Sequence, residues 1–151
     1  KSAYYVAVVT NAYRMAIDAY CANPREDYVP EQWIVDEMNK ISHRPYGTGF
    51  YYGMPGQHLE RSSYVRAYEV AAVVEGWENG YLITSQRNRF FPGNELEVLE
   101  PCGKPFAFTP TVLYDAEMQP LESANHPMMQ VRILDPEPLK EGTLLRFDKK
   151  I

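Results

Sequence analysis

The sequence predicts a mainly β chain with some α: an N-terminal helical segment followed by a small antiparallel β-barrel. Three observations carry this expectation. Apolar residues recur at helical spacing from Ser2 to Ala22, the period drops to two beyond a glycine-rich stretch, and turn signals then come about every ten residues.

Each element has its own local cause. Tyr5, Val8, Val9, Ala12, Ala16, Ala19 and Tyr20 fall on one helical face, with Ser2 placed to cap the first turn. The run Asn23-Pro24-Arg25-Glu26-Asp27 breaks that pattern. Pro30 fits the first turn of a second helix that carries Trp33, Ile34, Met38 and Ile41 on one side and stops before Arg44, because Pro45 disfavours helical backbone in the residue ahead of it. The stretch from Ile41 to Gly53, ISHRPYGTGFYYG, reads as a joint, with turns at Gly47 and Gly49 and with Phe50, Tyr51 and Tyr52 as anchors between helices and barrel.

From Tyr64 to Val74 alternate residues form two sets, and Glu78-Asn79-Gly80 leads into Tyr81–Ser85, a strong hairpin signal. Further strands are expected at Glu95–Leu99, Phe106–Phe108, Thr111–Glu117, Met128–Leu134 and Thr143–Phe147. A sandwich or a barrel would accommodate them. The barrel is preferred because closure removes edge strands in so small a unit. The chain is accordingly divided into residues 1–53, helical segment and linker, and residues 54–151, the barrel.

Composition narrows the function classes. A net charge of -5 excludes a uniformly basic nucleic-acid clamp and confines any such role to a local patch. Cys21 and Cys102 lie far apart in no metal-ligand spacing, which favours free thiols in a reducing, cytoplasmic setting. No stretch approaches the roughly 20 apolar residues of a membrane span. A start without Met or signal-peptide layout leads us to expect a piece of a larger protein.

Few residues offer chemistry. Ser42, His43 and Arg44 place a hydroxyl, a base and a cation in succession, but adjacent side chains diverge, so the alternative is a helix-ending segment that satisfies carbonyls or a neighbouring domain. His58 and His126 have no second ligand at i+2 to i+4, and no metal site is expected. Ser62, Ser63, Ser85 and Ser123 lack a Gly-x-Ser-x-Gly setting, and Cys102 has no evident base, so no catalytic residue is assigned. Gly47-Thr48-Gly49 lacks the Lys-Ser/Thr of a phosphate loop.

The polar cluster Gln86-Arg87-Asn88-Arg89-Phe90-Phe91 is different in kind. Arginine pairs phosphates and stacks on bases, and phenylalanine adds a stacking surface, so Arg66, Arg87, Arg89 and Phe90 are candidates for substrate or RNA contact. The competing reading is a solvated strand end with Phe90 or Phe91 tucked inward. His43, Arg44, Tyr46 and Phe50 are candidates for interdomain contact at the joint.

Three ordered segments carry a resemblance: KSAYYVAVVTNAYRMAIDAY, ISHRPYGTGFYYG and QRNRFFPGNELEVLEPCGKP. Together they resemble the C-terminal region of the collagenase-like peptidases of family U-32, in particular the members that take part in transfer-RNA hydroxylation. The resemblance implies a catalytic region ahead of Lys1, and an appended barrel similar to the second domain of elongation factor Tu. It implies no cofactor in this chain, an iron-sulfur centre belonging to the preceding region, and no catalytic or metal-ligating role for Cys21 or Cys102. The expected partners are the chain's own N-terminal catalytic domain and either transfer RNA or a polypeptide, with no membrane. The expected role is a non-catalytic accessory barrel that assists substrate binding. The alternatives are the substrate-binding part of a collagenase-like protease, or a structural domain, with dimerisation through the exposed N-terminal helix.

Overall fold

The computed structural model describes residues 2–54, 64–135 and 137–149. His58, Ser62 and Ser63 lie outside the described residues. Helix α1 spans Ala3–Ala22, and Ser2 caps it as expected, its Oγ accepting from the Tyr5 backbone N–H at 3.2 Å. Its C-terminal end stops at Asn23, whose N–H donates to the Tyr20 carbonyl ahead of Pro24.

Helix α2 is shorter than the sequence pattern suggests, covering Gln32–Glu37. Pro30 therefore lies outside it rather than in its first turn. Beyond Glu37 the N–H groups of Met38, Asn39 and Lys40 each reach back three residues, a tightened turn that carries the chain to the fully buried Ile41.

Eight strands follow: β1 Tyr68–Glu78, β2 Tyr81–Gln86, β3 Leu96–Leu99, β4 Phe106–Phe108, β5 Leu113–Tyr114, β6 Pro120–Leu121, β7 Gln130–Leu134 and β8 Leu144–Asp148. All pairings are antiparallel, in the order β4-β3-β8-β1-β2-β7-β5-β6. The expected closed barrel is thus corrected to an open sheet, with β4 and β6 at its edges. The edge hazard is managed differently: β4 has three residues, and β6 has two and contains Pro120, which cannot donate to another strand. The strand expected over Thr111–Glu117 shrinks to two residues, because the turn at Asp115 accepts N–H bonds from Glu117 and Gln119.

The sheet nonetheless curls. Two register shifts in β1, at Val70/Ala72 against β8 and at Val74/Gly76 against β2, bend its longest strand. Leu96 and Val98 of β3 join Leu113 of β5, Val131 and Ile133 of β7 and Leu145 of β8 in one core cluster. A second, smaller cluster of Val8, Ile41 and Leu99, with Tyr4, Tyr5, Met38 and Leu144 against it, holds the helices to the sheet.

Candidate functional site

Strand β1 enters the sheet at Tyr68 and β2 leaves it at Gln86, so an antiparallel hairpin brings Arg66 and Arg87 to the same end of the sheet. The bulged Ala71 carbonyl accepts from both the Arg87 and Asn88 backbone N–H groups, and Asn88 Nδ2 donates to the Val70 carbonyl at 2.8 Å. The segment leaving β2 is thereby fixed against the segment entering β1.

The expected RNA-contact residues divide under this geometry. Arg87 and Arg89 are exposed; Arg87 Nη1 donates to Ser85 Oγ at 2.7 Å and touches Met128 Sδ, and the Arg89 guanidinium stands 4.8 Å from the Phe91 ring centroid. Phe90 is corrected: it is fully buried in the sheet core and bridges Ala124 by two backbone bonds, so its ring is not a surface platform. Phe91, 40% exposed, is the aromatic that the strip presents. Arg132 does not join the group, being half-buried near the hairpin tip with Glu78 3.7 Å away.

Among the described residues no carboxylate pairs with Arg44, Arg66, Arg87 or Arg89, whereas Arg14, Arg25 and Arg132 each have one and Arg146 has two. Three of these cations, Arg66, Arg87 and Arg89, flank the ends of β1 and β2 that lie away from the hairpin turn, on an otherwise acidic chain.

The joint residues are also placed. His43 exchanges both backbone bonds with Val65, its ring stacks on Tyr46 with centroids 4.6 Å apart, and its Nδ1 lies 2.8 Å from the Arg44 carbonyl. Tyr46 donates its hydroxyl to the Met38 carbonyl at 2.6 Å, and Arg44 sits 5.0 Å from the Tyr64 ring. These contacts tie the helical segment to the approach of β1. Phe50, Tyr51 and Tyr52, expected as anchors, are instead 76%, 92% and 88% exposed.

Sequence reasoning missed the polar centre between helices and sheet. Arg146 of β8 has no exposed side-chain surface; its Nη2 lies 2.6 Å from Glu37 Oε1 and 2.7 Å from Glu97 Oε2. Lys40 Nζ bonds both oxygens of Glu97 at 2.9 Å and lies 3.1 Å from Glu37. Tyr4 donates to the Lys40 carbonyl and accepts from Arg146 Nη1. Burial pushes the Tyr4 phenol up to about 12 against the lowering effect of the Arg146 charge. Burial alone would raise the Glu97 carboxyl, but the Lys40 hydrogen bond and the Arg146 and Lys40 charges outweigh it and hold it below 4.5. The only signal in the sequence was a charge, Arg146, between Leu145 and Phe147 in a strand pattern.

In front of this centre opens a cleft of about 440 Å³ lined by Tyr4, Tyr5, Tyr64, Arg66, Tyr68 and Asn88. Asn11 of α1, nearly buried, makes a second latch: its Nδ2 donates to the Gly103 carbonyl at 2.9 Å and its Oδ1 accepts from the Cys102 N–H at 2.8 Å. Cys21 and Cys102 are both exposed free thiols on different elements, a donor set that does not fit an iron-sulfur centre, and among the described residues no three His, Cys, Asp or Glu side chains gather as a metal site. None of the described helices is long and apolar enough to cross a membrane.

An α-helical segment is thus latched to an open antiparallel sheet, and the family of the chain follows from comparison with known proteins. Residues 66–146 match the family described as peptidase family U32 C-terminal domain and residues 1–61 match peptidase family U32; the chain belongs to peptidase family U32. It is 30% identical over 157 aligned positions to tRNA hydroxylation protein P1 of Bacillus subtilis (strain 168), covering 99% of this chain and 36% of that relative. Two crystal structures of the C-terminal domain of a Geobacillus thermoleovorans protein named as a U32 peptidase are also similar. The selenomethionine variant is 30% identical with a TM-score of 0.49, covering 52% of this chain and 99% of that one. The other is 28% identical with a TM-score of 0.48, covering 54% and 92%.

Proposed function

We propose that this chain is the non-catalytic, substrate-holding portion of a U32 enzyme that acts on transfer RNA. The observation that carries the reading is the set of three arginines without carboxylate partners among the described residues, Arg66, Arg87 and Arg89, at one end of the β1–β2 hairpin. Arginines left unpaired on an acidic chain suit phosphate oxygens, and the exposed Phe91 beside Arg89 adds an aromatic face. The name of the Bacillus relative supplies the substrate class. Because the chain spans 36% of that relative, the proposal assigns catalysis, and any iron-sulfur centre, to residues outside this chain. The exposed Val6, Tyr13, Ile17 and Tyr20 of α1 supply an apolar face for that catalytic part.

Transfer-RNA affinity measured over a range of salt concentrations tests the reading. Replacing Arg87 and Arg89 by Ala is expected to weaken binding and to lower the slope of log K against log salt by about 2, about one for each phosphate no longer neutralised. Unchanged affinity with an unchanged slope overturns the proposal. Specific binding of a polypeptide in place of RNA would favour the peptidase reading of the same surface.

A further inference from the structure

We propose that the tyrosine-lined cleft between the first turn of α1 and the approach to β1 is a stacking subsite for one unpaired base of the RNA, with Arg66 on the adjoining phosphate. This rests on the RNA reading above. The cleft, about 440 Å³, falls within the size range of sites that hold a small ligand group. Four of its lining residues are tyrosines, whose flat faces can stack on bases.

Two of the four rings are held rigid from behind. Tyr4 is fixed by its hydroxyl bonds to the Lys40 carbonyl and Arg146. The Tyr68 ring has Lys40 Nζ 5.1 Å and the Arg146 guanidinium 5.3 Å from its centroid. Those two cations share the Glu97 carboxylate, and on opposite faces of the ring they would stand too far apart for one carboxylate to bridge. They therefore occupy one side of Tyr68, which leaves the other for the cleft. Rings already ordered lose little freedom when a base arrives.

The polar groups fit a nucleotide. Tyr64 is 47% exposed and has the planar Arg44 guanidinium 5.0 Å from its centroid, so a base entering there meets an aromatic face beside a stacking cation. Asn88 spends one of its two amide N–H groups on the Val70 carbonyl, leaving Oδ1 as an acceptor and the second N–H as a donor to offer a base edge. Glu69 also lines the cleft, but Lys149 neutralises it, so it does not oppose a phosphate at Arg66. An apolar side chain of a polypeptide could enter the aromatic part, but it would leave Arg66 and Arg44 without an anion.

The test is titration of this chain with a short single-stranded RNA of mixed sequence, with the same RNA as a duplex, and with a peptide rich in proline and aromatic residues. The single strand is expected to bind more tightly than the duplex. Tyr64→Ala is expected to weaken it about tenfold without changing the salt slope, and Tyr64→Phe to restore it, which separates stacking from a folding defect. Arg66→Ala is expected to lower the salt slope by about one. If Tyr64→Ala leaves affinity unchanged while the Arg87 and Arg89 replacements lower it, the base subsite is wrong and the RNA reading stands. If neither moves RNA binding, or if the peptide binds and the RNA does not, both are overturned.

Discussion

Arg146 is a cation with no solvent access, placed in the middle of a strand. Such burial costs several kcal/mol unless the charge is paired and its donors are used, and here Glu37 and Glu97 meet the guanidinium from two different elements. Burial works against the charged form of Arg146, but the Glu37 hydrogen bond and the charges around it leave its affinity for the proton raised. Glu97 carries the pH dependence of this centre. Its carboxyl is held below 4.5 in the folded chain, so it contributes stability that is fully present above that value and is lost as pH falls through the lower, folded one. Urea denaturation repeated from about pH 6 to about pH 3 should show a steeper loss for the native chain than for Glu97→Gln, which has no carboxyl to protonate. Equal slopes would mean that Glu97 is not held by Lys40 and Arg146 in solution. Little of this centre is legible in the sequence. Arg146 stands out as a charge in an apolar strand, but Glu37 is 109 residues away and Glu97 is 49, and no local spacing links them.

The β1–β2 hairpin is the element where local chemistry and structure agree most closely. Asn79 and Gly80 have φ of 51° and 85°, the left-handed pair that a two-residue hairpin turn demands, and they set the register Glu78↔Tyr81, which the bulge at Val74/Gly76 then shifts by one residue to give Ala72↔Gln86. That register delivers Arg87 beside the approach to β1, so the turn at one end and the bulge in mid-strand together place the arginines at the other. Gly80→Ala meets no atom in its way but forces a side chain into a left-handed backbone, and it should destabilise the chain by about 1 kcal/mol or more. The midpoint of denaturation measures it, and a neutral result would mean that the turn has another form in solution. Helix α2 marks the opposite case. Its apolar spacing extends to Ile41, but the chain turns at Lys40 to place Ile41 under α1 and Lys40 over Glu97, and packing overrides the period.

Across the molecule as a whole, helix and sheet are made one body by three bonds of different kind: the Val8–Ile41–Leu99 cluster, the Arg146 centre, and Asn11 bracing the turn between β3 and β4. Asn11→Ala strands the Gly103 carbonyl and the Cys102 N–H that the side chain satisfied, at a cost of about 1–3 kcal/mol. Because only Val8, Asn11 and Ala12 of α1 are buried, the loss should fall first on the helix. Hydrogen exchange should then accelerate along α1 while β1, β2 and β7 keep their protection. Uniform acceleration would show instead that helix and sheet unfold together.

Helix α1 with its Ser2 cap, the Asn79-Gly80 hairpin and most strand positions follow from the order of residues alone, because they depend on interactions within a few positions along the chain. Folding in three dimensions settles the rest: the sheet stays open, Phe90 turns inward while Phe91 stays out, and Tyr4, Tyr64 and Tyr68 share one cleft. Those outcomes rest on the bulges of β1, the short edges of the sheet and ion pairs between distant elements, whose energies exist only once the chain has brought the partners together.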